Sequence, residues 1–401
     1  MTKKRLAGFL LILPMFFQAM AQVRPLPFSN YISARGGLVN TRYAINTQKE
    51  VTVAFLGGSI TYNPGWRQMV GNYLKDSFPQ AKFRFIVAGI PSLGSLPHAF
   101  RLQRDVLDSG KVDLLFVEAA VNDQVNGTDS VTQVKSLEGI VRHAIKSNPY
   151  MDIVLMSFAD PDKTNIYKKG VPISVANHEL IAAHYNLPSI NLAKAVADKL
   201  TNNEFSWEKD FKDLHPAPFG QRLYFEAMKT LLAGQLSNGK NNPDKLIKHN
   251  LKTIGMLNPN SLTNGSYLDI AKAQTGAGWT LNPSWTPTDK LDTREGFVKV
   301  PMLVSTKAGA TLTLKFKGNA VGMALISGAD AGIVDYSIDG SDVKHIDLFT
   351  QWSTFIHLPW YVLFDSGLKN GPHTLKLTIS PQKNPGSIGN ACRIVHFLVN
   401  K

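Results

Sequence analysis

The chain has 401 residues, of which 44% are hydrophobic and 18% charged, and its formal net charge is +13. This length favours two domains, and this composition is typical of a globular protein and excludes a disordered one. The positive charge can attract polyanions, which leaves an acidic polysaccharide open as a ligand. No helix-turn-helix, zinc-finger or basic-aromatic motif accompanies it, so we predict no nucleic-acid partner. The single cysteine, Cys392, excludes an intramolecular disulfide, and its apolar neighbours in the sequence predict a buried thiol.

Residues 1–21 have the three-part pattern of a secretory signal peptide. Basic residues at 3–5 precede an apolar run over 6–17, and small residues stand at 19 and 21. The run is shorter than the roughly 20 apolar residues that span a bilayer, and we predict no membrane span anywhere in the chain. We expect a secreted or periplasmic protein, and a bacterial one, because exported domains of other origin more often depend on disulfides.

From residue 51 to about residue 238, strand-like and helix-like segments alternate, which predicts an α/β domain with a doubly wound parallel sheet over residues 22–245. The strand-like runs are almost continuously apolar, as in a parallel sheet that is covered on both faces. The predicted strands cover 51–56, 83–88, 112–117, 153–158 and 189–192. The predicted helices cover 66–78, 98–107, 131–146, 174–185 and 219–236.

Residues 246–401 are predicted to form a second, all-β domain of the sandwich type. Turn-forming residues over 237–244 indicate a boundary, and a second Asn/Gly/Ser/Pro-rich stretch follows at 258–266. Beyond it, Asp339-Gly340 is a common hairpin-turn pair. The predicted strands of this domain cover 311–317, 332–338, 373–379 and 394–399.

Four polar motifs lie after predicted strands or before the last helix, where open α/β sheets place their ligand crevice. The first is Gly57-Gly58-Ser59-Ile60-Thr61, directly after the first strand of the α/β domain. Its glycines allow a sharp turn that exposes Ser59. Taken alone, this motif fits a serine nucleophile or a phosphate-binding turn equally well.

The second and third motifs offer hydrogen-bond donors. Residues 88–95 form a small-residue loop that can aim backbone N–H groups at a developing oxyanion, or can be a plain connection. Residues 117–123 contain Asn122, whose side-chain amide can donate to the same oxyanion. An Asn-Asp pair after a strand is also a common start of a helix.

The fourth motif is Lys212-Asp213-Leu214-His215-Pro216. A histidine held by a carboxylate can deprotonate a serine. A single histidine is more often structural, but the adjoining aspartate and proline favour a functional role for His215.

In this order and placement the four motifs resemble the four blocks of the SGNH hydrolase (GDSL-like esterase) superfamily, over residues 51–236. The resemblance implies a flavodoxin-like sheet, Ser59 as the nucleophile and His215 as the general base. It also implies an oxyanion hole made by the N–H groups of Ser59 and of Ser92 or Gly94, together with the amide of Asn122. We predict no metal and no cofactor.

The fourth motif departs from the family pattern, because the family has an aspartate three residues before its histidine. Here Lys212 takes that place, and Asp213 lies two residues before His215. Either Asp213 completes the triad, or Asp210 or another acceptor does, or the enzyme uses a Ser-His pair. We favour Asp213.

The resemblance extends to exported SGNH enzymes joined to a β-sandwich, which remove acetyl groups from plant or microbial glycans. It implies a serine carboxylic-ester hydrolase that cleaves O-acyl, in particular O-acetyl, esters on an acylated glycan through an acyl-enzyme. In the β domain, Trp352, His357 and Trp360 can stack on sugar rings or form core. The alternatives are a lipid, thioester or methyl-ester hydrolase, and an inactive glycan-binding protein. The sequence does not indicate the glycan or the oligomeric state.

Overall fold

The computed structural model describes residues 23–237 and 245–401. The predicted signal peptide at 1–21 lies outside the described residues, as does most of the predicted boundary at 237–244. No helix within the two described ranges combines the length and the apolar character that a membrane crossing requires. We refer to residues 23–237 as the α/β unit and to residues 265–401 as the β unit.

The α/β unit contains a mostly parallel sheet. Its described strands are β1 (Ile32–Ser33), β2 (Glu50–Gly57), β3 (Lys82–Gly89), β4 (Leu114–Glu118), β5 (Asp152–Met156) and β6 (Ser189–Ile190). They lie in the order β1-β6-β5-β4-β2-β3, in which β2 to β6 are parallel and β1 is an antiparallel edge. The parallel part has the 2-1-3-4-5 order of flavodoxin-like sheets, so the predicted doubly wound α/β class is confirmed.

Helices cover both faces of this sheet, which explains why its central strands are apolar throughout. On β4, Leu115 and Val117 pack with the helices over 95–105 and 130–147, and Leu114 and Phe116 pack on the other face with the helices over 66–77 and 218–236. Each predicted strand and helix of this unit is present, with ends displaced by a few residues. The helices are α1 (Val39–Tyr43), α2 (Ser59–Tyr62), α3 (Trp66–Ser77), α4 (Ser95–Asp105), α5 (Ala120–Val125), α6 (Ser130–Ser147), α7 (Pro161–Ile166), α8 (Ile173–His184), α9 (Leu192–Thr201) and α10 (Pro218–Leu236).

The β unit consists of antiparallel sheets packed face to face, so the predicted all-β sandwich is confirmed. Its described strands are β7 (Gly265–Leu268), β8 (Ala273–Thr275), β9 (Thr280–Asn282), β10 (Met302–Ser305), β11 (Thr311–Gly318), β12 (Ala320–Ser327), β13 (Ile333–Ile338), β14 (Lys344–Asp347), β15 (Leu358–Asp365), β16 (Gly371–Ile379) and β17 (Cys392–Asn400). One sheet has the order β15-β12-β17-β10-β9, with β7 also paired to β17, and the other has the order β14-β13-β16-β11-β8. The Cys392 thiol is buried, and burial raises its pKa to about 12.

The two units share a core across α4 and β12. Side chains alternate along β12, so Ala320 and Ala324 face the α/β unit while Val321 and Met323 face the interior of the sandwich. Strand β7 approaches the backbone of α4 so closely that a Cβ at Gly265 would collide with the carbonyl of Ala99. The β unit is therefore seated beside the loop that precedes α4.

Residues 245–264 lie along the α/β unit before the β unit begins. The backbone N–H groups of Leu257 and Asn258 donate to the buried Glu138 carboxylate on α6, at 2.6 and 2.9 Å. The backbone N–H of Ile247 donates to Asn40 Oδ1 at 2.7 Å. The domain division predicted at residue 246 stays a prediction.

Candidate active site

Ser59 is the first residue of α2, directly after the turn that ends β2. This turn requires glycine at both preceding positions. A Cβ at Gly57 would collide with the side chain of Thr61, and a Cβ at Gly58 would collide with Oδ1 of Asn122. The absence of a side chain at Gly58 lets Asn122 of the third motif approach the backbone beside Ser59, and the side chain of Ser59 lines an open cleft.

His215 contacts Ser59 from the loop that precedes α10. The Ser59 hydroxyl and His215 Nε2 are within hydrogen-bond distance, with 2.8 Å between oxygen and nitrogen. The loop is held on its N-terminal side by Phe211, which is fully buried, and the backbone N–H of Ala217 donates to the Phe211 carbonyl at 3.0 Å. The packed core thus fixes the loop that carries the imidazole.

Asp213 lies near the Nδ1 atom of the imidazole but does not form a hydrogen bond with it. Its Oδ1 is 3.7 Å from His215 Nδ1 and accepts the backbone N–H of His215 at 2.5 Å. Asp210 accepts the backbone N–H of Ser206 at 2.8 Å. In the described ranges no side chain accepts a hydrogen bond from His215 Nδ1. The role predicted for Asp213 stays a prediction.

Asn122 and Ser92 line the same cleft as Ser59 and His215. Asn122 stands in the first turn of α5, and in the described structure its side chain makes no hydrogen bond, so its amide is available. Ser92 has a φ of 72°, in the left-handed region. Gly94 precedes α4 and lines an adjoining groove, and a Cβ there would collide with Oδ1 of Asp123. Ser92 thus lines the cleft that Ser59 lines, and the choice between Ser92 and Gly94 as the second oxyanion donor stays a prediction.

Buried carboxyl groups hold in place the loop before α4 and the start of α5, which carry Ser92 and Asn122. Asp123 accepts both the backbone N–H and the hydroxyl of Ser95, at 2.8 and 3.0 Å, and so joins the start of α4 to α5. Glu118 accepts the backbone N–H of Val121 at 3.0 Å. Burial raises the pKa of each carboxyl to about 7, against the lowering effect of these hydrogen bonds and of the Lys163 ammonium. Glu118 was not among the predicted site residues, although a carboxylate at the end of an apolar strand is a signal that the sequence contains.

The cleft has a volume of about 400 Å³, and the β unit supplies part of its wall. Its lining residues from the β unit are Arg294, Trp352, Ile356 and Leu358. Of the predicted aromatics, Trp352 is 36% exposed, and Trp360 lines an adjoining groove. His357 is 3% exposed, and its Nε2 lies 2.9 Å from an Asp289 carboxylate oxygen. No local sequence signal pointed to Arg294, because its contact with Ser92 spans 202 residues.

No cluster of three or more His, Cys, Asp or Glu side chains with metal-binding geometry occurs in the part of the chain that the structure describes.

The α/β unit has an SGNH-like fold, and a serine hydroxyl and an imidazole meet at its cleft. Residues 55–223 match the model of the GDSL-like Lipase/Acylhydrolase family, which confirms the resemblance found in the sequence. The chain is also similar in structure to a two-domain esterase active on acetylated mannans, solved with mannopentaose. That likeness has a TM-score of 0.71 and 20% identity, over 93% of this chain and 98% of that one.

A second structure of a two-domain esterase active on acetylated mannans gives a TM-score of 0.70 at 19% identity, over 93% of this chain and 98% of that one. These likenesses show that the two-unit fold is shared. No curated protein matches the chain in sequence.

Proposed function

We propose that the protein is a serine esterase that removes O-acyl groups, in particular acetyl, from a carbohydrate. The observation that carries this proposal is the 2.8 Å contact between Ser59 Oγ and His215 Nε2 at the rim of a cleft. A serine hydroxyl becomes a useful nucleophile when an adjacent base can take its proton. This contact favours the nucleophile over the phosphate-binding alternative for the first motif.

In the proposed reaction, Ser59 Oγ attacks the ester carbonyl carbon while His215 Nε2 takes the hydroxyl proton. The tetrahedral oxyanion accepts hydrogen bonds from the backbone N–H groups of Ser59 and Ser92 and from the Asn122 amide. Collapse of this intermediate breaks the bond to the sugar oxygen, which receives the proton from His215. Water then attacks the acyl-enzyme with the same proton transfers, and releases the acid and free Ser59.

Asp213 has a limited part in this proposal. At 3.7 Å from Nδ1 its carboxylate can attract the positive charge that His215 gains when it takes the serine proton, without the hydrogen bond that fixes the tautomer in a complete triad. Its side chain is 69% exposed, so solvent weakens that attraction. We therefore propose a Ser-His pair assisted by Asp213.

The form of the cleft supports a carbohydrate ester as the substrate. It opens between two units, and it combines the indole of Trp352 with the polar groups of Asn63, Asn126 and Arg294. Aromatic faces with a few convergent polar groups are typical of sites that bind sugars. The similar structures described above act on acetylated mannans, which supports acetyl as the acyl group. We further propose that the protein is exported by means of residues 1–21.

A lipid-ester hydrolase is the second candidate, because Val121, Val125, Ile356 and Leu358 give the cleft an apolar part. The two proposals are separated by parallel assays of acetate release from a panel of acetylated polysaccharides and of fatty-acid release from long-chain esters. We expect acetate release with the wild type and none with Ser59→Ala. Ser77→Ala, which changes an exposed serine at the end of α3, is the matched control.

Covalent labelling addresses the remaining alternative, an inactive glycan-binding protein. A fluorophosphonate reacts with an activated serine, and we expect the label on the peptide that contains Ser59. An unlabelled Ser59, together with no ester hydrolysis, would rule out the esterase.

A further inference from the structure

Ser92 adopts a backbone conformation that side chains rarely take. Its φ of 72° is in the left-handed region, where a Cβ is unfavourable. Such a conformation persists when its surroundings determine it more strongly than local preference does. The backbone N–H of this residue is the proposed oxyanion donor, so whatever holds Ser92 also sets the direction of that donor.

Ser92 is held from both units. In the α/β unit, Asn126 Nδ2 donates to the Ser92 carbonyl at 2.9 Å. In the β unit, Arg294 Nε donates to the Ser92 hydroxyl at 3.3 Å. Among the hydrogen bonds of the described residues, that from Arg294 is the one received by the Ser92 hydroxyl.

Glu295, which follows Arg294 in the chain, contacts another residue that lines the cleft. The hydroxyl of Tyr62 donates to Glu295 Oε2 at 2.6 Å, and this hydrogen bond raises the pKa of Tyr62. Tyr62 is the last residue of α2, the helix that Ser59 begins. Two consecutive residues, Arg294 and Glu295, therefore connect the β unit to the donor loop and to the nucleophile helix.

These two residues belong to a segment that is anchored in the β unit. Asp292 forms a β-bridge with Ile356, and its carbonyl accepts the backbone N–H of His357 at 2.8 Å. Phe297 is buried, and its backbone N–H donates to the Arg294 carbonyl at 3.2 Å. A segment tied down on both sides can hold a guanidinium at a fixed place.

We propose that Arg294 is a positioning residue of the esterase, which keeps the Ser92 backbone turned so that its N–H meets the oxyanion. The proposal rests on the function proposed above. It makes the β unit a working part of the oxyanion hole, in addition to any part in binding the glycan. A donor that is aimed at the transition state affects kcat more than KM.

Steady-state kinetics of the full-length protein on a small, neutral chromogenic acetate ester test this proposal. We expect Arg294→Ala to lower kcat about 10-fold with KM nearly unchanged, since a displaced donor costs less than the loss of about 10²–10³-fold for a missing one. Ser92→Ala should have a similar effect. The double variant should be no slower than either single one, because both changes remove the same hydrogen bond.

Two further variants serve as controls. Lys290→Ala removes a positive charge from an exposed position of the same region and should leave kcat unchanged. Ser92→Gly removes the hydroxyl together with the Cβ that makes the left-handed conformation unfavourable. In that background we expect Arg294→Ala to change kcat less than about two-fold.

A rise in KM with unchanged kcat for Arg294→Ala would overturn the proposal, because it would make Arg294 a substrate-binding residue. A crystal structure of Arg294→Ala gives a readout that does not depend on activity. We expect Ser92 to leave the left-handed region in it. A wild type without esterase activity would refute the proposed function, whereas a variant in which Ser92 keeps its positive φ would refute the positioning role alone.

Discussion

The hydroxyl of Ser59 and the imidazole of His215 meet at 2.8 Å although 156 residues separate them in the chain. The contact is a consequence of sheet topology, because β2 is an interior strand between β4 and β3, and the loop before α10 returns to the carboxyl end of β2. Parallel strands present the loops that follow them at that one edge. The predictions below concern this contact and the residues around it.

We expect Ser59→Ala and His215→Ala each to lower kcat for a chromogenic acetate ester by at least about 10⁴-fold, because nucleophile and base act as one unit. The double variant should be no worse than either single one. Hydrolysis by Ser59→Ala at the rate of Ser77→Ala would show that another residue is the nucleophile.

Asn122→Ala should lower kcat by about 10²–10³-fold with little change in KM, the usual effect of removing one oxyanion donor. Asn72→Ala is the matched control, since Asn72 is an exposed residue of α3 that does not line the cleft. If Asn122→Ala raised KM and left kcat unchanged, the amide of Asn122 would have a role in substrate binding instead.

Asp213→Ala should reduce kcat by about 10-fold or less, because its carboxylate is exposed and 3.7 Å from the imidazole. A member of a complete triad contributes about 10⁴-fold. Asp210→Ala, measured alongside, tests the other aspartate. A loss near 10⁴-fold for either variant would identify it as the missing acid and contradict the assisted Ser-His pair.

Gly58→Ala should lower kcat at least about 10-fold, since the new Cβ would displace Asn122 from the nucleophile turn and so disturb one oxyanion donor. Gly170→Ala is the control, because a Cβ there meets no atom within 4 Å. Circular dichroism should show both variants folded. Unchanged kcat in Gly58→Ala would indicate that the side chain of Asn122 can move without cost.

Asp152 gives a prediction about pH and stability. Burial raises its pKa from the ordinary 3.8 to about 7, so between these values the folded state holds a proton that the unfolded state has lost. Its contribution to stability therefore falls as pH rises through this window, by up to about 1.4 kcal/mol per pH unit.

Asp152→Asn removes that contribution and leaves an oxygen that can accept the backbone N–H of Thr41, as Asp152 Oδ2 does at 2.7 Å. In urea unfolding at pH 5 and pH 8, we expect the variant to gain stability relative to the wild type at the higher pH. The exposed Asp76→Asn should show no such trend. Equal differences at the two pH values would contradict the raised pKa.

The sequence was sufficient to predict the elements with a local period and the motifs that follow them. Strand β2 and helix α6 could be read from their apolar spacing, and Ser59 and His215 from the residues beside them. Strand β12 was not predicted, because a strand of an antiparallel sandwich is expected to alternate between polar and apolar residues, whereas all eight residues of β12 are buried. Very short strands such as β1 carry too few residues for any pattern.

The contribution of the β unit to the site was also beyond sequence reasoning. Arg294 and Glu295 lie in an irregular segment, and their partners are 202 and 233 residues away. Nothing in the local composition distinguishes them from surface charges. In the sequence, Asp123 could be noticed only as part of an Asn-Asp pair. Its hydrogen bond with Ser95 depends on how two loops pack together in the fold.

The two-sided burial of β12 has a consequence for how this chain can be divided. If the polypeptide were cut before β7, α4 would lose the strands that cover it, and apolar side chains such as Phe100 would be exposed to water. The separated sandwich would in turn expose Ala324 and Leu398. Neither fragment would then be a self-contained domain that could be joined to another enzyme. The two units therefore have to be engineered as a single piece.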